Sequence, residues 1–199
     1  MPLHFFKRGL RALGIAESFF KQRSRAVLAG VVMRGDMQID GFGFSEITLR
    51  GLDATQGVLD IYNQLSRRDI NLIMLNGCVI SLFNLIDLDE VYEALARPVI
   101  CVTYEESAGL EKYLREFNDA EVRLEIYRRL GARSEVPLHT GHRVFVRFRG
   151  MNEHEARHAL NLFTLQGSVP EPLKVARLLA RAILRWSVKQ TSCDRERLQ

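Results

Sequence analysis

Seven acidic residues stand where the chain is predicted to leave a strand or to enter a helix, and side chains at such positions can converge in a folded protein. They are Glu17, Asp36, Asp40, Asp53, Asp87, Glu105 and Glu106. Two or three converging carboxylates bind Mg²⁺, which prefers carboxylates, waters and substrate phosphate as ligands. A pair of such ions stabilises both the attacking and the leaving oxygen of a phosphodiester. These residues therefore suggest metal-dependent cleavage of nucleic acid.

Glu17 is the strongest candidate, because it follows an apolar strand and a charge there needs a partner or solvent. Asp53, with Gln56 three residues later, is equally typical of a helix N-cap. Asp87 is placed to cap the following helix, and Asp36 suits an ordinary turn. The sequence leaves the structural and the catalytic interpretations of these acids open.

No strong catalytic motif accompanies the acids: the sequence has no phosphate-binding loop, no cysteine pair with zinc spacing and no Gly-x-Ser-x-Gly elbow. The run from His154 to His158 places two histidines on one helix face, but no third zinc ligand is apparent. Glu105 and Glu106 follow a strand at the end where open α/β sheets bind ligands, and an exposed loop explains them as well.

Basic residues form two rows that are suited to a nucleic-acid backbone. Arg143, Arg147 and Arg149 alternate along a predicted strand, with Phe145 among them available for base stacking. Arg177, Arg181 and Arg185 recur every four residues along a predicted helix. The net charge of +4 permits a polyanionic partner, although rows of charge are also typical of solvated faces.

The elements that must position these residues follow from the apolar pattern. An apolar strand ending at Glu17 is followed by an antiparallel hairpin of two further strands, and then by alternating helices and parallel strands. The run from His142 to Arg149 predicts an antiparallel or edge strand with a basic outer face, and a helix from Asn152 follows. The last helix is predicted to bury Val175, Leu178, Leu179, Ala182, Ile183 and Trp186.

This order predicts an α/β fold of the ribonuclease-H-like kind: a mixed sheet with an antiparallel hairpin and parallel strands, flanked by helices, with extra C-terminal helices. A flavodoxin-like sheet ranks second, because it lacks the early hairpin. The 199 residues are expected to form one domain, with a flexible tail over 190–199.

The cysteines and the hydropathy pattern indicate a cytoplasmic protein without a membrane segment. Three cysteines, Cys78, Cys101 and Cys193, make a disulfide framework improbable, and the first two are expected in the core. No apolar stretch is long enough to span a bilayer. The sequence leaves the oligomeric state open.

Several segments together resemble the archaeal endonuclease-V-related family of unknown function (domain of unknown function ninety-nine). The likeness runs from about Arg11 to Trp186 and rests on the order and joint presence of short motifs. They are LGIAESF at 13–19, VLAGVVMRG at 27–35, IDG at 39–41, GLDAT at 51–55, IMLNGCVISLFNLID at 73–87, PVICVTYEES at 98–107 and VPEPLKVARLLA at 169–180.

The resemblance implies a ribonuclease-H-like fold related to endonuclease V, which cuts DNA or RNA near deaminated bases with Mg²⁺ held by three acids. Its first-strand Asp falls on Ala16, its central-strand Asp on Asn76 and its intermediate acid on Asp53. Glu17 follows Ala16 but lies on the opposite strand face, so that a bulge or strand end would have to turn it inward.

Three hypotheses follow. The first is a metal-dependent endonuclease with catalytic residues Glu17, Asp53 and Asn76 and with Mg²⁺ on Glu17, Asp53 and Asp40. Asp87 and Glu171 are further candidate ligands for that ion. In the second, a catalytically inactive protein binds nucleic acid on a nuclease-derived scaffold, through Arg143, Phe145, Arg147, Arg177, Arg181 and Arg185. The third is a small-molecule or protein-interaction module.

Overall fold

A seven-stranded mixed sheet forms the centre of the computed structural model, which describes residues 9–197 and the side chains of residues 9–190. Its strands are β1 (Arg11–Phe19), β2 (Arg25–Arg34), β3 (Ile39–Thr48), β4 (Leu72–Asn76), β7 (Val99–Thr103), β8 (Ser134–Pro137) and β9 (Arg143–Arg149). The order across the sheet is β3-β2-β1-β4-β7-β9-β8. Strands β1, β4 and β7 are parallel, and the other neighbours are antiparallel. A separate small hairpin consists of β5 (Val79–Ile80) and β6 (Asn84–Leu85).

Helices cover both faces of the sheet. They are α1 (Ala54–Leu65), α2 (Leu88–Leu95), α3 (Glu111–Leu114), α4 (Ala120–Leu130), α5 (Glu153–Phe163) and α6 (Glu171–Arg197). One core lies between the sheet and α1 and α2, and another lies between the sheet and α5 and the start of α6. The predicted mixed sheet with an early hairpin, parallel strands and flanking helices is therefore confirmed. Within the described residues, no helix has the length and apolar character that crossing a membrane requires.

Helix α6 rests almost directly on the backbone of β1. A Cβ atom at Gly14 would lie 2.5 Å from the Cβ of Pro172 and 2.6 Å from its carbonyl carbon, so only glycine fits. Further along, the small side chains of Ala176 and Ala180 face β1 and β2. This close approach sets the rotation of the helix about its own axis.

The predicted buried face of α6 was right only in part as a consequence of that rotation: Val175, Leu179 and Ile183 pack at the edge of the core, whereas Leu178, Ala182 and Trp186 are exposed. The buried positions are Leu173, Ala176, Ala180 and Leu184, whereas Leu178 and Trp186 are 61% and 63% exposed. Alanines rather than large apolar residues occupy the contact with the sheet, because small side chains allow the helix to approach the sheet closely. The helix also continues to Arg197, through the segment for which a tail was expected.

Strand β9 is an interior strand, because it pairs with β7 on one side and with β8 on the other. It is antiparallel, as predicted, but it is not an edge. On the side of β9 that carries its basic residues, helices α2 and α4 contact Arg149 and Arg147, whereas Arg143 at the start of the strand is exposed. Arg149 pairs with Asp89 of α2, and the Arg147 side chain donates to the carbonyl of Gly131, which follows α4, at 2.8 Å.

Arg123 of α4 is a buried cation that joins four segments. Its guanidinium donates to the carbonyls of Arg50 at 2.6 Å, Gly51 at 3.0 Å and Phe83 at 2.7 Å. It also pairs with Asp119 and lies 4.2 Å from the centre of the Phe117 ring. The side chain is only 3% exposed, so its neighbours depend on it for their hydrogen bonds.

Cys78 and Cys101 are core residues, as predicted, and the structure joins them in a disulfide with a Cα–Cα distance of 6.1 Å. The expectation of a chain without disulfide bonds is thus wrong for this pair. The reason is spatial: β7 pairs in parallel with β4, so Cys101 lies opposite Leu75, three residues before Cys78. The side chain of Cys193 is outside the described part.

We expect reduction of this disulfide to destabilise the protein by about 3 kcal/mol, because the bond closes a loop and thereby restricts the unfolded chain. The check is chemical denaturation with and without a thiol reductant. The Cys78→Ala, Cys101→Ala double variant serves as a control whose midpoint the reductant should leave unchanged. An equal wild-type midpoint under both conditions would contradict the expectation.

Candidate nucleic-acid interface

The carboxyl ends of β1 and β4 place Ala16 and Asn76 side by side. The parallel register sets Ile15 opposite Leu75, so the next residue on each strand is Ala16 and Asn76. Ala16 is buried against Ala176 of α6. At these two positions the resemblance had implied the metal-binding acids of the first and central strands, and neither residue carries a charge.

Asn76 is held in one orientation by Tyr104, which follows β7. The Tyr104 hydroxyl donates to Oδ1 of Asn76 at 2.8 Å. Burial strongly raises the pKa of the Tyr104 phenol, and the charge of Arg177 offsets this only in part, so the phenol stays a donor at neutral pH. Among the described residues, the amide nitrogen of Asn76 has no hydrogen-bond partner, and the residue lines an open pocket.

Two adjoining pockets form a cleft at the carboxyl ends of β4 and β7, where open α/β sheets place their ligands. Their volumes are about 470 Å³ and 330 Å³. They share Gly77, Thr103, Ser107 and Arg133. The larger pocket adds Asn76, Tyr104, Glu105 and Glu106, and the smaller one adds Tyr127 and Arg147.

Two arginines bring positive charge to this cleft, and neither forms an ion pair with Glu105 or Glu106. Arg133 donates to the carbonyl of Glu105 at 2.9 Å and lies 5.0 Å from the centre of the Phe145 ring. Burial lowers the pKa of Arg147, Tyr127 acts in the opposite direction, and the like charges of Arg133 and Arg149 lower it further. Neither Arg133 nor Arg147 forms an ion pair within the described part of the chain.

Glu17 lies on the opposite face of β1 from Ala16, and it anchors a turn. Its carboxylate accepts hydrogen bonds from the backbone amide of Ser81, at 2.8 Å, and from the Ser81 hydroxyl. Ser81, Leu82 and Phe83 all have left-handed φ angles of 44°, 60° and 77°, which non-glycine residues rarely adopt. No bulge interrupts the register of β1 with β2, so nothing turns Glu17 towards Asn76.

The pKa of Glu17 is raised by burial, and the hydrogen bonds from Ser81 lower it only in part. The folded state therefore binds this proton more tightly than the unfolded state, whose pKa lies near 4.5. Stability should fall as the pH rises from about 4.5 through the folded pKa.

We accordingly expect Glu17→Gln to be more stable than the wild type at pH 7, with the difference vanishing near pH 4. Urea denaturation across pH 4–8 checks this. The exposed Glu125→Gln variant should follow the wild-type profile. A Glu17→Gln protein that is less stable at pH 7 would show that its charge is needed instead.

Asp53 is occupied by structural hydrogen bonds. Its carboxylate accepts from the Thr48 amide at 3.0 Å, the Thr48 hydroxyl at 2.8 Å and the Asn84 side chain at 2.7 Å. Burial alone would raise its pKa, but these hydrogen bonds lower it overall. Asp53 stands at the predicted N-cap, but its side chain makes no hydrogen bond to α1; the Asn84 side chain instead accepts from the Ala54 amide at 3.0 Å.

The remaining acids lie apart or serve local roles. Asp40 pairs with Arg11 at 2.7 Å and with Arg67 at 3.6 Å, at the opposite end of β1 from Glu17. Asp87 caps α2, as predicted, and pairs with Arg129. Asp36 pairs with Arg34, and Glu171 pairs with Lys174.

The donor set required for Mg²⁺ does not assemble from the predicted acids. Within residues 9–190, no three His, Cys, Asp or Glu side chains lie close enough together to hold a metal ion. Glu17, Asp53 and Asp40 are not brought together, and the His154–His158 run has no third ligand. The residues present therefore do not fit the expected magnesium site, and we derive no chemical step through it.

The two basic rows have different surroundings. In the strand row, Arg143 pairs with Glu135 at 3.0 Å, Arg149 pairs with Asp89, and Phe145 lies beneath Arg133. In the helix row, Arg177, Arg181 and Arg185 are exposed, and their side chains make no hydrogen bond or ion pair within the described residues. Arg177 is close enough to Tyr104 to influence its pKa, so this row begins beside the cleft.

Comparison with known proteins gives consistent matches. A family model described as endonuclease dU matches residues 8–184. A UPF0215 protein of Pyrobaculum aerophilum is 35% identical over 172 residues, covering 85% of this chain and 92% of the relative. A UPF0215 protein of Methanosarcina acetivorans is 33% identical over 189 residues, covering 92% and 96%.

Among solved structures, a protein of unknown function from Archaeoglobus fulgidus has a TM-score of 0.78 at 27% identity, covering 88% of this chain and 98% of that one. Human endonuclease V has a TM-score of 0.63 at 15% identity, covering 93% and 88%. Ciona intestinalis endonuclease V, solved in complex with DNA that contains an inosine, has a TM-score of 0.59 at 14% identity, covering 88% and 86%. These likenesses confirm the predicted ribonuclease-H-like fold and the predicted family resemblance.

Proposed function

Because the chain belongs to the endonuclease dU family, we propose that it acts on nucleic acid, binding a DNA or RNA strand along α6 and across the cleft. The family description and the inosine-containing DNA bound by an endonuclease V neighbour support a deaminated base as the feature that is recognised. Uracil and hypoxanthine are the bases to test.

One observation carries this proposal: among the residues that the structure describes, no acid pairs with the side chains of the helix row. A guanidinium that is neutralised by an acid has little attraction left for phosphate, whereas Arg177, Arg181 and Arg185 keep their full charge. Successive members lie about 6 Å apart along the helix axis, because each is four residues further on. The row starts beside Tyr104 and so leads a strand to the cleft.

Metal-dependent endonuclease activity at the same cleft is the second candidate. Family membership favours it, and so does the position of Glu105 and Glu106 in the pocket that Asn76 lines. The uncharged Ala16 and Asn76 favour binding without cleavage, because two of the three carboxylates implied by the resemblance are replaced. We therefore rank recognition of nucleic acid first.

The test is a combined binding and cleavage assay. Labelled single- and double-stranded oligonucleotides containing uracil, hypoxanthine or only normal bases are incubated with the protein, with Mg²⁺, Mn²⁺ or a chelator. Tight binding that favours a deaminated base, without cutting, is the expected result. Metal-dependent cutting lost in Glu105→Gln, Glu106→Gln would establish the second candidate, and absence of binding to every oligonucleotide would overturn the proposal.

A further inference from the structure

We infer that the centre of the cleft binds a phosphate group directly, through N–H donors of Asn76 and Arg133, with no metal ion in between. The inference rests on the proposed function in taking this phosphate to belong to a nucleic-acid backbone. It assigns the cleft to an anion, whereas the carboxylate site implied by the resemblance would bind a cation.

Asn76 carries the first part of the argument. A carboxylate at this position would offer only acceptor oxygens, which attract a metal ion. The amide offers one oxygen and two N–H donors, and one lone pair of its oxygen accepts the Tyr104 hydroxyl at 2.8 Å. Its NH₂ group has no partner among the described residues, so it is the donor that Asn76 offers to a phosphate oxygen, and an N–H donor does not bind a metal ion.

Arg133 carries the second part. It lines the same pocket as Asn76 and is held by the carbonyls of Glu105 and Ser107, the hydroxyl of Thr103 and the ring of Phe145, all of which are neutral. These contacts fix its position and leave its charge unpaired. Arg147 lines the adjoining pocket, but the register places it on the opposite face of the sheet from Asn76, so it adds positive charge to the cleft without contacting the same phosphate. Phosphate is one of the anions that planar guanidinium groups bind well, through paired N–H donors.

Ala16 also supports a phosphate site, because it brings no negative charge next to Asn76. A carboxylate on the first strand would lie beside Asn76 and would repel an approaching phosphate in the absence of a metal ion. A buried methyl group next to the NH₂ donor removes that repulsion. Glu105 and Glu106 remain in the larger pocket, but their side chains are exposed, so water and salt weaken their repulsion.

Two measurements test the inference. Fluorescence anisotropy gives the affinity for a labelled single-stranded oligonucleotide in chelator and in Mg²⁺, and thermal unfolding with inorganic phosphate probes the anion site alone. We compare the wild type with Asn76→Asp, which has nearly the same shape but restores the carboxylate. Asn63→Asp, exposed on α1, is the control with the same change in net charge.

We expect wild-type binding to survive the chelator and Asn76→Asp to weaken it about 10-fold or more in chelator, while Asn63→Asp changes it less than 2-fold. Phosphate should raise the unfolding temperature of the wild type but not that of Asn76→Asp. Tyr104→Phe, which frees the Asn76 amide to rotate, should show a smaller loss of the same kind. This second variant keeps the test valid where Asn76→Asp does not fold.

The outcomes separate this inference from the proposed function. Oligonucleotide binding that needs a metal ion, or that is equal in wild type and Asn76→Asp, overturns the inference and leaves the proposed function standing. Phosphate-dependent stabilisation that is lost in Asn76→Asp, without any oligonucleotide binding, supports the anion site and overturns the proposed function.

Discussion

Replacing Arg123 with alanine should lower the free energy of unfolding by about 2–4 kcal/mol, since three backbone carbonyls lose their hydrogen-bond donor together. Arg123 is the donor to the carbonyls of Arg50, Gly51 and Phe83. These carbonyls belong to the loop before α1 and to the turn between β5 and β6. In the alanine variant each part-buried carbonyl loses its donor, and Asp119, which is 39% exposed, loses its counter-charge.

Urea denaturation followed by circular dichroism measures this effect. Arg128→Ala is the matched control, because Arg128 is an exposed arginine of the same helix and should change stability by about 0.5 kcal/mol or less. Arg123→Met keeps the length of the side chain but not its donors. A loss below about 1 kcal/mol in Arg123→Ala would mean that water replaces the guanidinium and that the four segments do not depend on it.

The triple variant Arg177→Ala, Arg181→Ala, Arg185→Ala should bind nucleic acid about 100-fold more weakly near physiological salt, since three phosphate contacts are lost together. The slope of log affinity against log salt should become shallower by about 2 for a single strand and by nearly 3 for a duplex. Because the side chains of the three arginines are exposed and have no partner in the described part of the chain, the stability of the protein should change little. A defect in affinity without a defect in folding is the distinguishing result.

Anisotropy titrations at four or more salt concentrations measure both quantities. A control triple variant, Arg68→Ala, Arg97→Ala, Arg128→Ala, removes the same charge from the opposite layer of the protein. If both triple variants lose affinity equally, net charge alone explains the binding. If neither loses affinity, the interface lies elsewhere.

Features that depend on local pattern were predictable from the sequence. The continuous apolar run of β2 indicates a strand that is buried on both faces, and it is one. Asn152 and Glu155 form the capping box that their spacing predicts. The order of the hairpin, the parallel strands and the flanking helices follows from the same patterns.

Features that depend on distant partners were not predictable. The side chain that caps α1 belongs to Asn84, which lies 30 residues after Ala54 in the sequence. The local pattern around Asp53 therefore predicted a capping hydrogen bond that Asn84 makes instead. The rotation of α6 is decided by Gly14, 158 positions before Pro172, and no helical pattern within α6 reveals it.

The candidate site was predictable only in part. The resemblance identified the positions of Ala16 and Asn76, and the helix row was predicted from arginines that recur every four residues. Arg133 gave no signal, because it matters only through its position beneath the loop that follows β7. Tyr104 lies in one of the matched motifs, but its hydrogen bond to Asn76 joins residues that are 28 positions apart, so the local sequence does not predict it.

The contact between Gly14 and Pro172 fixes the position of α6 on the sheet. A helix whose backbone lies this close to a strand has little room to turn or slide, so the Cα atoms of its outward arginines keep a fixed spacing. Under the proposed function, a nucleic-acid strand that binds along them meets a row of charges whose backbone is already in place, and little binding energy is spent on arranging the helix. Such a row contacts phosphates and reads no sequence, so discrimination between bases is then left to the cleft beside Arg177.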